Sequence, residues 1–320
     1  MNTHLLKKPT AVAVGKFQDT FVTANGETRA SVALSAPKTL WFNTGTLCNI
    51  ECINCYINSS PQNDALVYLD TDDVTAYLDQ LVARDWPVSE IGFTGGEPFM
   101  NPQIISMIQT SLVRGYRVLV LTNAMRPMMR PAMKAGLKKL QESYGDKLVL
   151  RVSLDHFSAA KHDSMRGAGS FDTSIEGMHW LAETGIKMAV AGRQLWQEDE
   201  PTARRGFARL FSRHRFDIDP QDTAELVLFP EMDETVDVPE ITTSCWDKLG
   251  KRPEDVMCAS SRMVVRRKGA DAPVVLACTL LPFEPEFEMG ATLKEAERDV
   301  HLNHRHCAKF CVLGGASCSA

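Results

Sequence analysis

Thr39-Leu40-Trp41-Phe42-Asn43 is followed by four linking residues and then by Cys48-Asn49-Ile50-Glu51-Cys52-Ile53-Asn54-Cys55. A β-rich run feeds a loop that carries three thiols at C-x3-C-x2-C spacing. Three neighbouring cysteines cannot all pair as disulfides, but as thiolates they can converge on one metal centre. A four-iron cubane usually takes four cysteine ligands, so three leave one iron open for chemistry. Zinc is the alternative, but its sites pair C-x2–4-C with a second pair of ligands, and none stands nearby.

Working outward, strand and helix alternate. Thr71 to Asp85 places Val74, Tyr77, Leu78, Leu81 and Val82 on one helical face. Val88 to Thr94 reads as a strand, and Asn101-Pro102 as the opening of a helix. Strands over 116–121, 148–154, 186–191 and 224–229 alternate with helices around Leu137, over 172–184 and over 201–214. Six such repeats predict parallel strands joined by helical crossovers, a partial (β/α)6 barrel of TIM-like α/β type.

In barrel-like α/β folds, sites gather at the C-terminal strand ends. The cysteine loop follows the first strand, and Gly95-Gly96-Glu97-Pro98 the second. Thr122-Asn123, Ser153 with Asp155, and Gly192-Arg193 follow the next three. Paired glycines at a strand end let backbone approach a ligand, and the adjoining carboxylate can receive an ammonium.

Together these features resemble the radical S-adenosylmethionine (SAM) superfamily. Cys48, Cys52 and Cys55 match its cluster loop and Gly95-Gly96-Glu97-Pro98 its GGEP motif, with the resemblance running over about residues 38–230. It implies a [4Fe-4S] cluster on the three cysteines, with SAM chelating the fourth iron through its amino and carboxylate groups. Gly95, Gly96 and Glu97 are then expected to meet the amino group. Ser153, Asn123 and Asp155 serve the carboxylate and ribose, and Arg166 pairs with the carboxylate. The backbone of Asn54 is expected to meet adenine, although many members carry an aromatic there and here Tyr56 follows the third cysteine instead. The implied chemistry is one-electron cleavage of SAM to a 5′-deoxyadenosyl radical that abstracts a substrate hydrogen.

The pattern breaks near residue 230, giving an N-terminal hairpin extension (1–36, turning at Asn25-Gly26), a core (37–230) and a small irregular cysteine-rich domain (231–320). The last holds six of the nine cysteines: Cys245, Cys258, Cys278, Cys307, Cys311 and Cys318. Cys258, a hairpin turning near Gly269, Cys278 and the closing group are similar to auxiliary-cluster extensions of the SPASM or twitch type. Eight residues separate Gly269 from Cys278, more than the usual four. The resemblance implies a second [4Fe-4S] cluster on Cys258, Cys278, Cys307 and Cys311, with Cys318 as a substitute. A zinc site using His304 or His306 is the rival; otherwise His301, His304 and His306 are expected to face solvent. Cys245 reads as an isolated thiol, and Gly167-Ala168-Gly169 as a turn before a helix.

The chain has 320 residues, 44% hydrophobic, 23% charged, with a net charge of −5. That is an ordinary globular composition and no electrostatic match for nucleic acid. No apolar run approaches a membrane span, and no apolar stretch follows Lys7 and Lys8 as a signal peptide requires. Clustered cysteines without a disulfide framework place the protein in the cytoplasm. The expected partners are a small-molecule or peptide substrate and an electron donor such as flavodoxin or ferredoxin. A non-catalytic zinc- or cluster-binding protein that senses redox state or docks a partner is the alternative function. It gives no reason for the glycine pair and the polar strand ends.

Overall fold

A computed structural model describes residues 15–231 and 235–315; Cys318 lies outside them, as do the first fourteen residues of the N-terminal extension. The strands in chain order are β1 (Ser31–Val32), β2 (Thr39–Asn43), β3 (Glu90–Thr94), β4 (Arg117–Thr122), β5 (Leu148–Ser153), β6 (Lys187–Gln194) and β7 (Leu226–Pro230). They continue with β8 (Ser261–Val265), β9 (Val274–Leu276), β10 (Glu288–Gly290) and β11 (Val300–His301). The helices are α1 (Thr71–Ala83), α2 (Ile104–Val113), α3 (Pro131–Tyr144), α4 (Ala159–Arg166), α5 (Ser170–Glu183), α6 (Glu200–His214) and the short α7 (Cys245–Leu249).

Strands β2 to β7 lie side by side in chain order and pair in parallel, each reached from the last by a helical crossover. This is the parallel α/β architecture expected from the sequence. The strands are apolar because helices cover the sheet; β2 is buried at all five positions. Each helix turns its apolar face inward, as α1 does with Val74, Tyr77, Leu78 and Leu81. Asp70 starts that helix with a capping box, its side chain accepting from Asp73 N–H while the Asp73 side chain accepts in return. Pro102 precedes α2 rather than opening it: Asn101 turns the chain by accepting from Gln103 N–H, and the helix begins at Ile104.

Residue 230 interrupts the alternation but not the sheet. Strand β8 pairs in parallel with the free edge of β2, and β9 and β10 extend it antiparallel to a nine-stranded sheet. The hairpin between β8 and β9 turns through Gly269, at φ +78°. The strand that delivers the cysteine loop is therefore central, flanked by β3 and β8. At the N-terminus, Asn25-Gly26 does turn the chain, with Val22 bridging Thr28. Strand β1 instead pairs with β11. Arg29, 2% exposed, bonds Glu240 at 2.7 Å and holds this segment against the C-terminal region.

Trp41 and Gly92 are register partners on β2 and β3. The buried indole lies across the glycine, where an added Cβ would stand 2.3 Å from Trp41 Cε3. Gly92→Ala forces the ring aside, and overpacking of this kind costs about 1–3 kcal/mol. Chemical denaturation of the variant is expected to show a lower midpoint with an unchanged slope.

Candidate cluster and cofactor site

Backbone contacts shape the site before any side chain does. After β2, residues 44–47 run against the end of β3: Thr44 N–H donates to Thr94 O at 2.8 Å, Gly96 N–H to Gly45 O at 2.8 Å, and Glu97 N–H to Leu47 O at 3.1 Å. A Cβ at Gly96 would stand 2.3 Å from Leu47 O, and one at Gly95, where φ is +141°, 2.6 Å from Gly45 O. The glycine pair is thus required by the approach of two loops. The cysteine loop is closed by Cys48 N–H to Ser60 O at 3.0 Å and tied to the end of α4 by Ile53 N–H to Met165 O at 2.8 Å. Asn54 takes a left-handed φ of +58°, a region asparagine tolerates better than most residues.

Glu97 is 1% exposed and faces away from the cavity. Its carboxylate accepts from Phe99 N–H, Asn123 N–H and the Thr122 hydroxyl, and so links the ends of β3 and β4. Burial raises its pKa to about 7 although all three partners favour the ionised form. Asn123 in turn donates to Asn49 Oδ1 at 2.9 Å, inside the cysteine loop. Beyond β5, Asp155 and Arg166 form a two-bond fork, Nε to Oδ2 and Nη2 to Oδ1, both at 2.8 Å. Burial works against the Asp155 charge, but the guanidinium outweighs it and holds the carboxyl below its ordinary range.

One cavity, about 1060 Å³ including space open to solvent, gathers these groups. Cys48, Cys52, Asn54, Cys55, Gly95, Gly96, Asn123, Ser153, Asp155 and Arg166 all border it. Phe229, Leu280, Phe310 and Arg193 border it as well. Arg193 stood out in the sequence only as a strand-end residue. Leu280 and Phe310 were missed: each lies within two residues of a cysteine, but nothing local says that they face the first cavity.

A second, smaller cavity brings together Cys258, Cys278, Cys307 and Cys311 among Val256, Leu281, Phe287 and Val300. The last two cysteines lie four apart on a π-helical stretch, Cys307–Leu313; such wide turns recur at functional sites. His306 is 4% exposed and borders this cavity, and His304 is held near a pKa of about 3 by burial. The expectation that these two face solvent is therefore corrected: the fold packs them between Phe287 and the π-helical stretch. Cys245 stands apart at the start of α7, its sulfur accepting from Thr242 N–H.

No disulfide joins any two of the eight described cysteines. Burial pushes Cys48 up to about 12 and Cys258 up to about 11, so metal uptake must release protons. Among the described residues no three Cys, His, Asp or Glu side chains are grouped tightly enough to hold a single ion. The thiols instead border volumes, one with three sulfurs and one with four. That donor chemistry fits a cubane with an open iron in the first and a fully thiolate-ligated centre in the second.

Fold and site together define an α/β half-barrel whose mouth is built to hold a site-differentiated metal cluster. The family profile of the radical SAM superfamily matches residues 42–193. That segment of the chain is a radical SAM domain. Among curated proteins, the antilisterial bacteriocin subtilosin biosynthesis protein AlbA of Bacillus subtilis is 30% identical over 155 residues, 47% of this chain and 32% of that protein. Mycofactocin maturase MftC of Mycobacterium tuberculosis is 27% identical over 186 residues, 57% of this chain and 43% of that one. The chain thus spans less than half the length of either relative. Among solved structures, Streptococcus suis SuiB bound to its precursor peptide SuiA aligns with a TM-score of 0.55 and 13% identity, over 81% of this chain and 63% of SuiB. That likeness concerns the fold.

Two outcomes are expected. Gly96→Ala separates the two loops and should lower iron retention at the first site while circular dichroism stays unchanged. Glu97 has a raised pKa, so the folded, metal-free chain holds a proton there that the unfolded chain releases. Its contribution to stability should therefore fall as pH rises from about 4.5 through about 7. Across that window wild type should lose stability relative to Glu97→Gln, read as the difference between their unfolding free energies at each pH.

Proposed function

We propose that this protein is a radical SAM enzyme that abstracts a hydrogen atom from a peptide substrate, with a second cluster at the C-terminal cysteines. One observation carries the reading: three thiols, the glycine pair and the polar strand ends border a single cavity. When bound, the reduced cluster and SAM supply the electron and the sulfonium for one-electron cleavage.

The chain's own residues do the holding and the shielding. Cys48, Cys52 and Cys55 would hold the cluster from one loop, whose path is fixed by the backbone contacts to the glycine turn. Gly95 and Gly96 would present backbone to the SAM amino group. Glu97 keeps the ends of β3 and β4 together from behind, which positions Asn123. Ser153 and the Asp155–Arg166 fork border the same cavity beside the cysteine loop, where they would receive ribose and carboxylate. The apolar side chains of Phe229, Leu280 and Phe310 border the cavity and would keep water from that part of it, as a reactive carbon radical requires.

The peptide assignment rests on relatives named for bacteriocin biosynthesis and mycofactocin maturation and on SuiB solved with a precursor peptide. Other matched proteins point elsewhere, notably an AdoMet-dependent heme synthase of Methanosarcina barkeri, 26% identical over 157 residues. A one-electron donor of flavodoxin or ferredoxin type and a reducing cytoplasmic setting belong to the same proposal. Among the described residues no helix is long and apolar enough to cross a membrane.

Anaerobically reconstituted protein should hold about eight irons, falling to about four in Cys258→Ser/Cys307→Ser. With dithionite and SAM it should release 5′-deoxyadenosine, and Cys48→Ala/Cys52→Ala/Cys55→Ala should release none. Release by the triple variant would sink the reading. With a deuterated candidate peptide, label should appear in the 5′-deoxyadenosine.

A further inference from the structure

Arg262 is the second residue of β8, two strands in from the β10 edge of the sheet, and is 1% exposed. Its guanidinium donates to four carbonyls: Nε to Ala296 O at 2.8 Å, Nη1 to Cys258 O at 2.6 Å and Ser261 O at 2.8 Å, and Nη2 to Arg298 O at 3.5 Å. Carbonyls satisfy N–H groups without neutralising the charge. Among the described residues no carboxylate stands within ion-pair distance of it, whereas the half-buried Arg166 has Asp155 and the buried Arg29 has Glu240. A buried cation without a counter-charge is costly, because its hydration is lost and nothing replaces it.

One of those carbonyls belongs to a residue of the second cavity: Nη1 is bonded at 2.6 Å to the main chain of Cys258, which borders that volume with Cys278, Cys307 and Cys311. The Cys258 and Cys278 side chains are the first two groups whose negative charge would stabilise it, ahead of the exposed Asp299. Cys278 Sγ also accepts from Leu280 N–H at 3.3 Å. As neutral thiols these cysteines leave Arg262 uncompensated. As ligands of a metal–thiolate centre they bring a net negative charge into the same apolar volume.

We propose that Arg262 is the built-in counter-charge of an anionic metal–thiolate centre held by Cys258, Cys278, Cys307 and Cys311. The proposal rests on the auxiliary-centre reading above and adds to it a residue outside the ligand set. Centre and cation each remove the other's cost of burial. Occupancy therefore secures the packing of β8 against the C-terminal region, and Arg262 holds the centre's potential up, since net charge and hydrogen bonds to sulfur are what set it.

The test uses the full chain with Cys48, Cys52 and Cys55 changed to Ala, so that only the second centre remains. Iron, sulfide and zinc are counted first. If the chain holds none of them, both the auxiliary-centre reading and the role of Arg262 fall. If metal is held, Arg262→Gln is expected to lose it to a chelator about tenfold faster. For a cluster, the midpoint potential should also drop by about 59 mV, the equivalent of a tenfold change for one electron. Arg262→Lys, which keeps the charge, should stay close to the parent in both measurements. Arg262→Met removes the charge while filling the volume and is read in the same way if the Gln variant does not fold. Unchanged retention and potential in the charge-removing variants would overturn the proposal while leaving the centre in place. Equal losses in the Lys and Gln variants would also overturn it, because they would mark Arg262 as scaffold alone.

Discussion

The close approach of two loop backbones governs this site. Gly96 N–H reaches Gly45 O and Glu97 N–H reaches Leu47 O, and neither contact tolerates a Cβ on the glycine pair. The segment between β2 and Cys48 thereby becomes an extension of the sheet, although it is not a strand. A cysteine loop hung from a rigid strand end can present three thiolates to one cluster. The same loop on a mobile tether would lose that pre-organisation, which is the main thing a protein contributes to a cofactor's chemistry.

Behind that contact lies a chain of buried polar groups, each completing the next. Glu97 joins β3 to β4 through three donors. Asn123, placed by that link, reaches back to Asn49 inside the cysteine loop. A buried network of this kind rigidifies only when every member is satisfied. It also explains why Glu97 is turned away from the cavity: its carboxylate is already committed to three donors, and the cavity face is left to Gly95, Gly96 and Asn123.

The two thiol-lined cavities are neighbours. Leu280 borders both, and Phe310, which borders the first, sits between Cys307 and Cys311 of the second. The ring of Phe229 at the end of β7 packs on Phe310 at 5.3 Å between centroids. The C-terminal region is therefore part of the barrel's cavity wall as well as a site of its own. Its strand β8 achieves this by pairing with the same strand that delivers the cysteine loop.

The sequence by itself determined the alternation of strand and helix, because apolar runs and helical faces repeat at local spacing. It also singled out the loop of Cys48, Cys52 and Cys55, because cysteine spacing is a local property. Ten of the expected site residues meet on one cavity for the same reason: strand-end positions are readable one strand at a time. Only the tertiary structure decided where Glu97 points, since a side chain's direction depends on which neighbouring strand supplies its donors. The tertiary structure alone likewise joined β8 to β2, buried His306, set Phe310 and Leu280 into the wall and bonded Arg262 to the Cys258 carbonyl with no carboxylate among the described residues within ion-pair distance. Each of these depends on contacts between residues tens to hundreds of positions apart, and no local pattern along the chain encodes such a meeting.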